Sequence, residues 1–246
     1  MINKIAFFCA ALLLAACQSQ TPQSAELDGL VPTDSLFQQA FEQSAQQPER
    51  AEQLYLDLGA AYQLRGNYPK AGICFLNAAN LADERQAAPD RALQHAERSY
   101  QNWSVLQDTM QMANLKKYTG LLRGKLEQFK PAFADLDTAR IWYISIPFPQ
   151  GIAITDFNEA QVYYQAKEYK LAQGSLIKAQ RFWRTQGNQR RVFINNIFGL
   201  RLFHQMNHQG LIDFTIEENE EILKTTSINQ WSKDQWESVK SALLGN

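Results

Sequence analysis

The chain has 246 residues, 45% hydrophobic and 20% charged, with 24 Lys and Arg against 25 Asp and Glu. This is the composition of one large globular domain or one repeat array, long enough to bury a core without disulfide staples. A net charge of −1 excludes the strongly basic balance of a nucleic-acid-binding chain.

The chain opens "MINKIAFFCAALLLAACQSQ". Lys4 precedes an apolar run from Ile5 to Leu14, small residues follow, and Cys17 closes the stretch. The run is shorter than the ~20 residues a stable transmembrane helix needs, and its order is that of a secretory signal. "LAAC", Leu14 to Cys17, resembles the bacterial lipobox. The resemblance implies that residues 1–16 are removed and that Cys17 carries a diacylglyceryl group and an acyl chain on its amine. Several chains anchor durably where one anchors only marginally. Gln18 follows Cys17 where an Asp favours inner-membrane retention, so the resemblance implies the outer membrane, facing the periplasm. Residues 17–31, polar and containing Pro22 and Gly29, read as a lipidated tether. After processing only Cys74 remains, in an apolar helical stretch, so it is expected to be a buried structural thiol with no disulfide partner.

From residue 32 onward the pattern is helical. "PTDSLFQQAFEQSA" offers Asp34 and Ser35 as N-caps before the apolar face of Leu36, Phe37, Ala40 and Phe41. Residues 90–115 carry Leu93, Ala96, Tyr100, Trp103, Leu106 and Met110 at steps of three and four, one long amphipathic helix or two shorter ones. "IWYISIPFPQGIAI", Ile141 to Ile154, interrupts the pattern with Pro147, Pro149 and Gly151. It is expected to be a packed loop or a short extended pair, or else a partner contact. Asp156 with Glu159 and Ser232 with Gln235 have capping-box spacing, and Gly245 suits a C-cap.

The stretch "YLDLGAAYQLRGNYPKAGICFLNAA" places small residues where larger ones would bury more area. Gly59 and Tyr62 precede a turn at "RGNY", and Ala71, Phe75 and Ala78 form a stripe after it. Small residues let two helices cross closely while large ones fill the space left. The series Tyr55, Leu58, Gly59, Tyr62, Gly66, Tyr68, Ala71, Phe75 and Ala78 resembles the tetratricopeptide repeat, a 34-residue helix pair. Weaker copies are Gly120, Phe129, Ala132, Leu136 and Ala139, then Ala160, Tyr163, Tyr169, Ala172, Leu176 and Ala179. A fourth opens at Gly199 and Leu202. The intervals from Tyr68 to Phe129 and from Phe129 to Tyr169 are unequal and depart from that period. The expected fold is therefore all-α, with helix–turn–helix repeats stacked into an irregular superhelix over 32–225 and a C-terminal helix over 226–246.

Such arrays present a concave surface lined by the first helix of each pair. The resemblance places Gln53, Leu56 and Gln63, with Ala60 and Leu64, on that surface in copy one. Asn114 and Lys117, with Leu121 and Lys125, follow in copy two, and Phe157, Gln161, Tyr164 and Gln165 in copy three. The lining is mostly neutral and amide-rich and lacks the Lys, Arg and Asn run of carboxylate-clamping members. A helix or extended segment of another envelope protein is the expected ligand.

No catalytic constellation, cofactor motif or small-molecule site is evident. His204 and His208 are four apart but lack a third metal ligand. "EENEE", Glu217 to Glu221, reads as a solvated helix face. Arg184, Arg190 and Arg191, within "RFWRTQGNQRR", are candidates for contact with an anion such as a lipid headgroup, against a plainer reading as a helix end and the start of the next. Asp135 and Asp137 are the carboxylates a glycan-active enzyme subunit would need, and they are expected to face solvent. The expected function is a non-enzymatic lipoprotein scaffold, in pilus or secretion-complex assembly. The alternatives are an adaptor for peptidoglycan-active enzymes or outer-membrane protein assembly, or a glycan-active enzyme subunit in its own right.

Overall fold

The computed structural model describes residues 34–84 and 87–244. Cys17, the tether and Gly245 lie outside the described residues. Eleven helices and no strand make up the described residues. They are α1 (Asp34–Gln43), α2 (Pro48–Leu64), α3 (Tyr68–Glu84), α4 (Pro89–Val105), α5 (Thr109–Lys125), α6 (Phe129–Ser145), α7 (Pro149–Gln165), α8 (Tyr169–Thr185), α9 (Gln189–Gln205), α10 (Gln209–Thr225) and α11 (Gln230–Leu244).

Every helix from α2 to α10 has the same length, 17 residues. From α4 onward the starts keep a constant stride, at Pro89, Thr109, Phe129, Pro149, Tyr169, Gln189 and Gln209. The short connection between helices is a recurring device. Its middle residue takes a left-handed conformation, with φ of +70° at Gly66, +52° at Gln107, +58° at Glu127, +62° at Lys167, +63° at Gly187 and +52° at Asn207. The next N–H then returns to a carbonyl one turn back, as in Asn67 N to Tyr62 O at 2.9 Å and Gln128 N to Arg123 O at 2.8 Å. This is the Schellman closure of a helix C-terminus. The residue that closes one helix opens the next. Asp108 accepts from Gln111 N at 3.0 Å and Asn188 from Arg191 N at 3.1 Å.

Residues 90–115 are two helices, α4 and the start of α5. The Pro-rich segment is neither a long loop nor a strand pair. α6 runs to Ser145 and α7 opens at Pro149, because proline in the first helical turn needs no N–H donor. Asp156 and Glu159 therefore lie in the middle of α7 and cap nothing. They hold Arg140 of α6 instead, at 3.1 and 3.2 Å. At α11 the cap is Asn229, which accepts from Ser232 N at 2.8 Å, while Ser232 itself is buried.

Close crossing explains the small residues. A Cβ on Gly59 would stand 2.8 Å from the Phe75 ring, and one on Gly72 2.5 Å from the Trp103 indole. Each glycine is a notch that receives a ring from the next helix. Cys74 is fully buried beneath, and burial pushes its thiol pKa up to about 12.

The helices form two rows. In one, Glu52 of α2 meets His95 of α4 at 2.9 Å, and Arg184 of α8 meets Glu218 of α10. In the other, Tyr118 of α5 donates to Ala79 O of α3, Phe157 of α7 packs on Phe198 of α9, and Phe193 of α9 packs on Trp236 of α11. Even-numbered helices thus share one row and odd-numbered helices the other.

Candidate functional site

α5, α7 and α9 are successive neighbours in the odd-numbered row, and the groove expected from sequence falls on their side chains. Asn114 of α5 accepts the Tyr143 hydroxyl at 2.7 Å, and the Lys117 ammonium lies 5.9 Å from the same ring. Burial, then the charge of Arg191, lowers the Lys117 pKa to about 8. The charge of Arg191 on α9 is thus felt by Lys117 on α5, across α7. Arg191 itself is steadied 5.5 Å from the Trp183 ring.

The floor is aromatic. Phe198 of α9 meets Phe157 and Tyr164 of α7 edge-on, with centroids 5.5 and 5.6 Å apart. Tyr164 also packs on Tyr169 at 5.6 Å. The hydroxyl pKa of Tyr164 is raised by burial and by Tyr169, against the charge of Arg201. Gln161 is half-buried on the same helix, one turn before Tyr164. Arg191, Asn195 and Phe198 are spaced four and three apart and share one stripe of α9. Asn195 is only 2% exposed, and its amide nitrogen has no hydrogen-bond partner among the described residues. Gln165 leaves a buried amide oxygen unpartnered beside the Gly124 notch. Neither Lys117 nor Arg191 has a carboxylate within ion-pair distance among the described residues.

The structure places Asn114 and Lys117 of α5 beside Tyr143, and Phe157, Gln161 and Tyr164 on the neighbouring α7. It adds Arg191, expected elsewhere, and Asn195, Phe198 and Tyr143, which the repeat resemblance did not single out. The expected lining already held Lys117, and the charge of Arg191 reaches it there. Gln53, Leu56 and Gln63 do not join them. They lie on α2, in the even row, where Gln53 donates to Asp57 at 2.9 Å and Leu56 packs against the N-terminal core.

The arginine run separates. Arg184 grips Glu218 with two bonds of 2.9 and 2.8 Å, and Arg190 donates to Ser227 O at 2.9 Å, while the charge of Arg191 is felt by Lys117. "EENEE" is not simply solvated. Glu218 accepts from Asn196, Asn219 is fully buried against that same residue, and Glu220 pairs with Lys240 at 2.6 Å. Asp135 does not face solvent. It is 5% exposed and accepts from Lys116, Thr119 and Arg123. Asp137 is exposed and pairs with Arg140. Burial raises the Asp156 pKa while Arg140 opposes it. His204 ends α9 and His208 caps α10 through Nδ1, so the two do not share a helix face. The described residues contain no group of three His, Cys, Asp or Glu able to hold a metal.

Neither a protein-family model nor a curated protein sequence matches the chain. Among solved structures it is similar to the crystal structure of BtubC (BKLC) from P. vanneervenii. The TM-score is 0.54 at 14% identity, over 83% of this chain and 92% of that one. At that identity the likeness concerns the helical fold alone.

Proposed function

We propose that this chain is a non-enzymatic scaffold, held by lipid on Cys17 at the periplasmic face of the outer membrane, whose concave groove takes an acidic segment of another envelope protein. The observation that carries this reading is that Lys117 on α5 feels the charge of Arg191 on α9, with no carboxylate to balance either among the described residues and an aromatic cluster of Phe157, Tyr164 and Phe198 on α7 and α9. A half-buried lysine that also feels a second positive charge is costly unless an anion joins it. Phe157, Tyr164 and Phe198 offer apolar contact to the residues flanking a carboxylate, the combination that anchors peptides in helical grooves.

Pilus or secretion-complex assembly is the pathway in which we place it, with peptidoglycan-enzyme or barrel-assembly adaptors as the alternatives. The experiment is a crosslinking pull-down of the lipidated full chain from intact cells. The reading expects one dominant envelope protein, and expects Lys117→Met with Arg191→Gln to remove it. Recovery of the same partner by the double variant would refute the groove.

A further inference from the structure

The two edges of the array are chemically unlike. Because successive helices alternate in direction, the C-termini of α2, α4, α6, α8 and α10 lie along one edge with the N-termini of the odd helices. Leu64, Val105, Ile141 and Ile144 stand in or beside the last turns there and are 59–64% exposed. Trp231, in the first turn of α11, is 67% exposed on the same edge. Arg65, Lys70, Arg190 and Lys233 lie within a turn of it. Arg184 and Lys224 are also there, paired to Glu218 and Glu221. The acids nearest this strip are engaged: Asp108 caps α5, Glu221 holds Lys224, and Asp234 accepts from Gln230. At the opposite edge acids and bases are near balance, with Glu49, Asp83, Glu84, Asp90 and Glu127 among them.

The chain also enters on this side. α1 lies against α2, with Phe37 and Tyr55 rings 5.4 Å apart, and residues 44–47 join Gln43 to Pro48. α1 is therefore antiparallel to α2, and its N-terminal end lies toward the Leu64 end of α2. The described fold thus begins at the basic, apolar edge.

We propose that this edge rests on an anionic phospholipid surface, with Ile141, Ile144, Val105, Leu64 and Trp231 entering the headgroup boundary and the arginines and lysines beside them facing phosphate. Exposed aliphatic and Trp side chains flanked by cations are what an interfacial element presents to such a surface. The inference rests on the lipid-anchored reading for the source of the membrane, but uses none of the groove residues as lipid ligands.

The test uses the lipidated full chain in vesicles of phosphatidylethanolamine and phosphatidylglycerol. A nitroxide is placed singly at Ile144→Cys and at Leu171→Cys, the latter 52% exposed near the other edge. Cys74 is fully buried and does not compete for label. The proposal expects position 144 to be shielded from a water-soluble relaxant and open to oxygen, with position 171 the reverse. It also expects Val105→Glu with Ile141→Glu to bring the label at 144 into water. An attached chain whose label at 144 is as water-accessible as that at 171 overturns the proposal alone. A chain that stays in the aqueous phase defeats the anchor reading and this inference together. A label at 144 that is wet on vesicles yet shielded in intact cells would overturn the lipid contact too, and would mean that a protein covers the edge.

Discussion

The turn residues show how one side chain carries a structural cost. Gln107, Glu127 and Lys167 occupy left-handed positions that glycine fills at Gly66 and Gly187. That backbone conformation costs an L-residue ~1 kcal/mol. Replacing Lys167 with Gly is expected to raise stability by about 0.5–1 kcal/mol, and Gly187→Ala to lower it by about as much, read as shifts in urea midpoint. Lys117 behaves in the opposite sense to a structural cation. Its folded pKa of about 8 lies below the usual 10.5, so the folded state disfavours the proton. Below pH 8 that penalty is fully present, and it fades as pH rises from about 8 toward 10.5, where the unfolded chain still holds the proton. Lys117→Met is therefore expected to stabilise the protein at pH 7 by ~1–2 kcal/mol while weakening partner capture. A destabilised Lys117→Met variant in thermal unfolding at that pH would contradict this.

At the scale of helices, stability rests on notches and on one buried polar chain. Gly72→Ala must displace the rigid Trp103 indole, and a loss of about 1–3 kcal/mol is expected. Asn196 is fully buried and ties three helices together. It accepts from Gln180 at 2.7 Å and donates to Glu218 and Asn219 at 2.7 and 2.9 Å. Asn196→Ala leaves those partners unsatisfied and should cost about 2–3 kcal/mol in chemical denaturation. The helical class was legible from periodicity, and the Gly59–Phe75 crossing from the small-residue pattern. The phase of the repeat was not, for a definite reason. Ala51 and Tyr62, Ala92 and Trp103, Ala132 and Tyr143, and Ala172 and Trp183 are each eleven apart. One such pair recurs on each of α2, α4, α6 and α8. In the tetratricopeptide-like register α2 and α3 form the first pair and the next copy opens on α5, past α4, which put Gln53, Leu56 and Gln63 in the even row and the later candidates in the odd row. The constant stride of the helices was hidden because most left-handed turn positions carry no glycine.

Across the whole molecule, α5, α7 and α9 come side by side from distant parts of the chain. Arg191 and Lys117 lie four helices apart along the chain, on α9 and α5. Their interaction depends on how α5, α7 and α9 pack beside one another, which no local spacing records. The same holds for Asp135, exposed by its charge alone but buried by Lys116, Thr119 and Arg123 on the preceding helix. If an acidic segment binds in the groove, capture should weaken as pH rises from 7 to 9 and Lys117 loses its proton, with Arg191 still charged. The most direct measurement of the central claim places a photo-crosslinking residue at Gln161, in the groove, and separately at Gln63, on α2, in intact cells. The account predicts a discrete crosslinked envelope protein from position 161, lost on Lys117→Met, and none from position 63. Equal adducts from both positions, or an adduct from 63 alone, would contradict it.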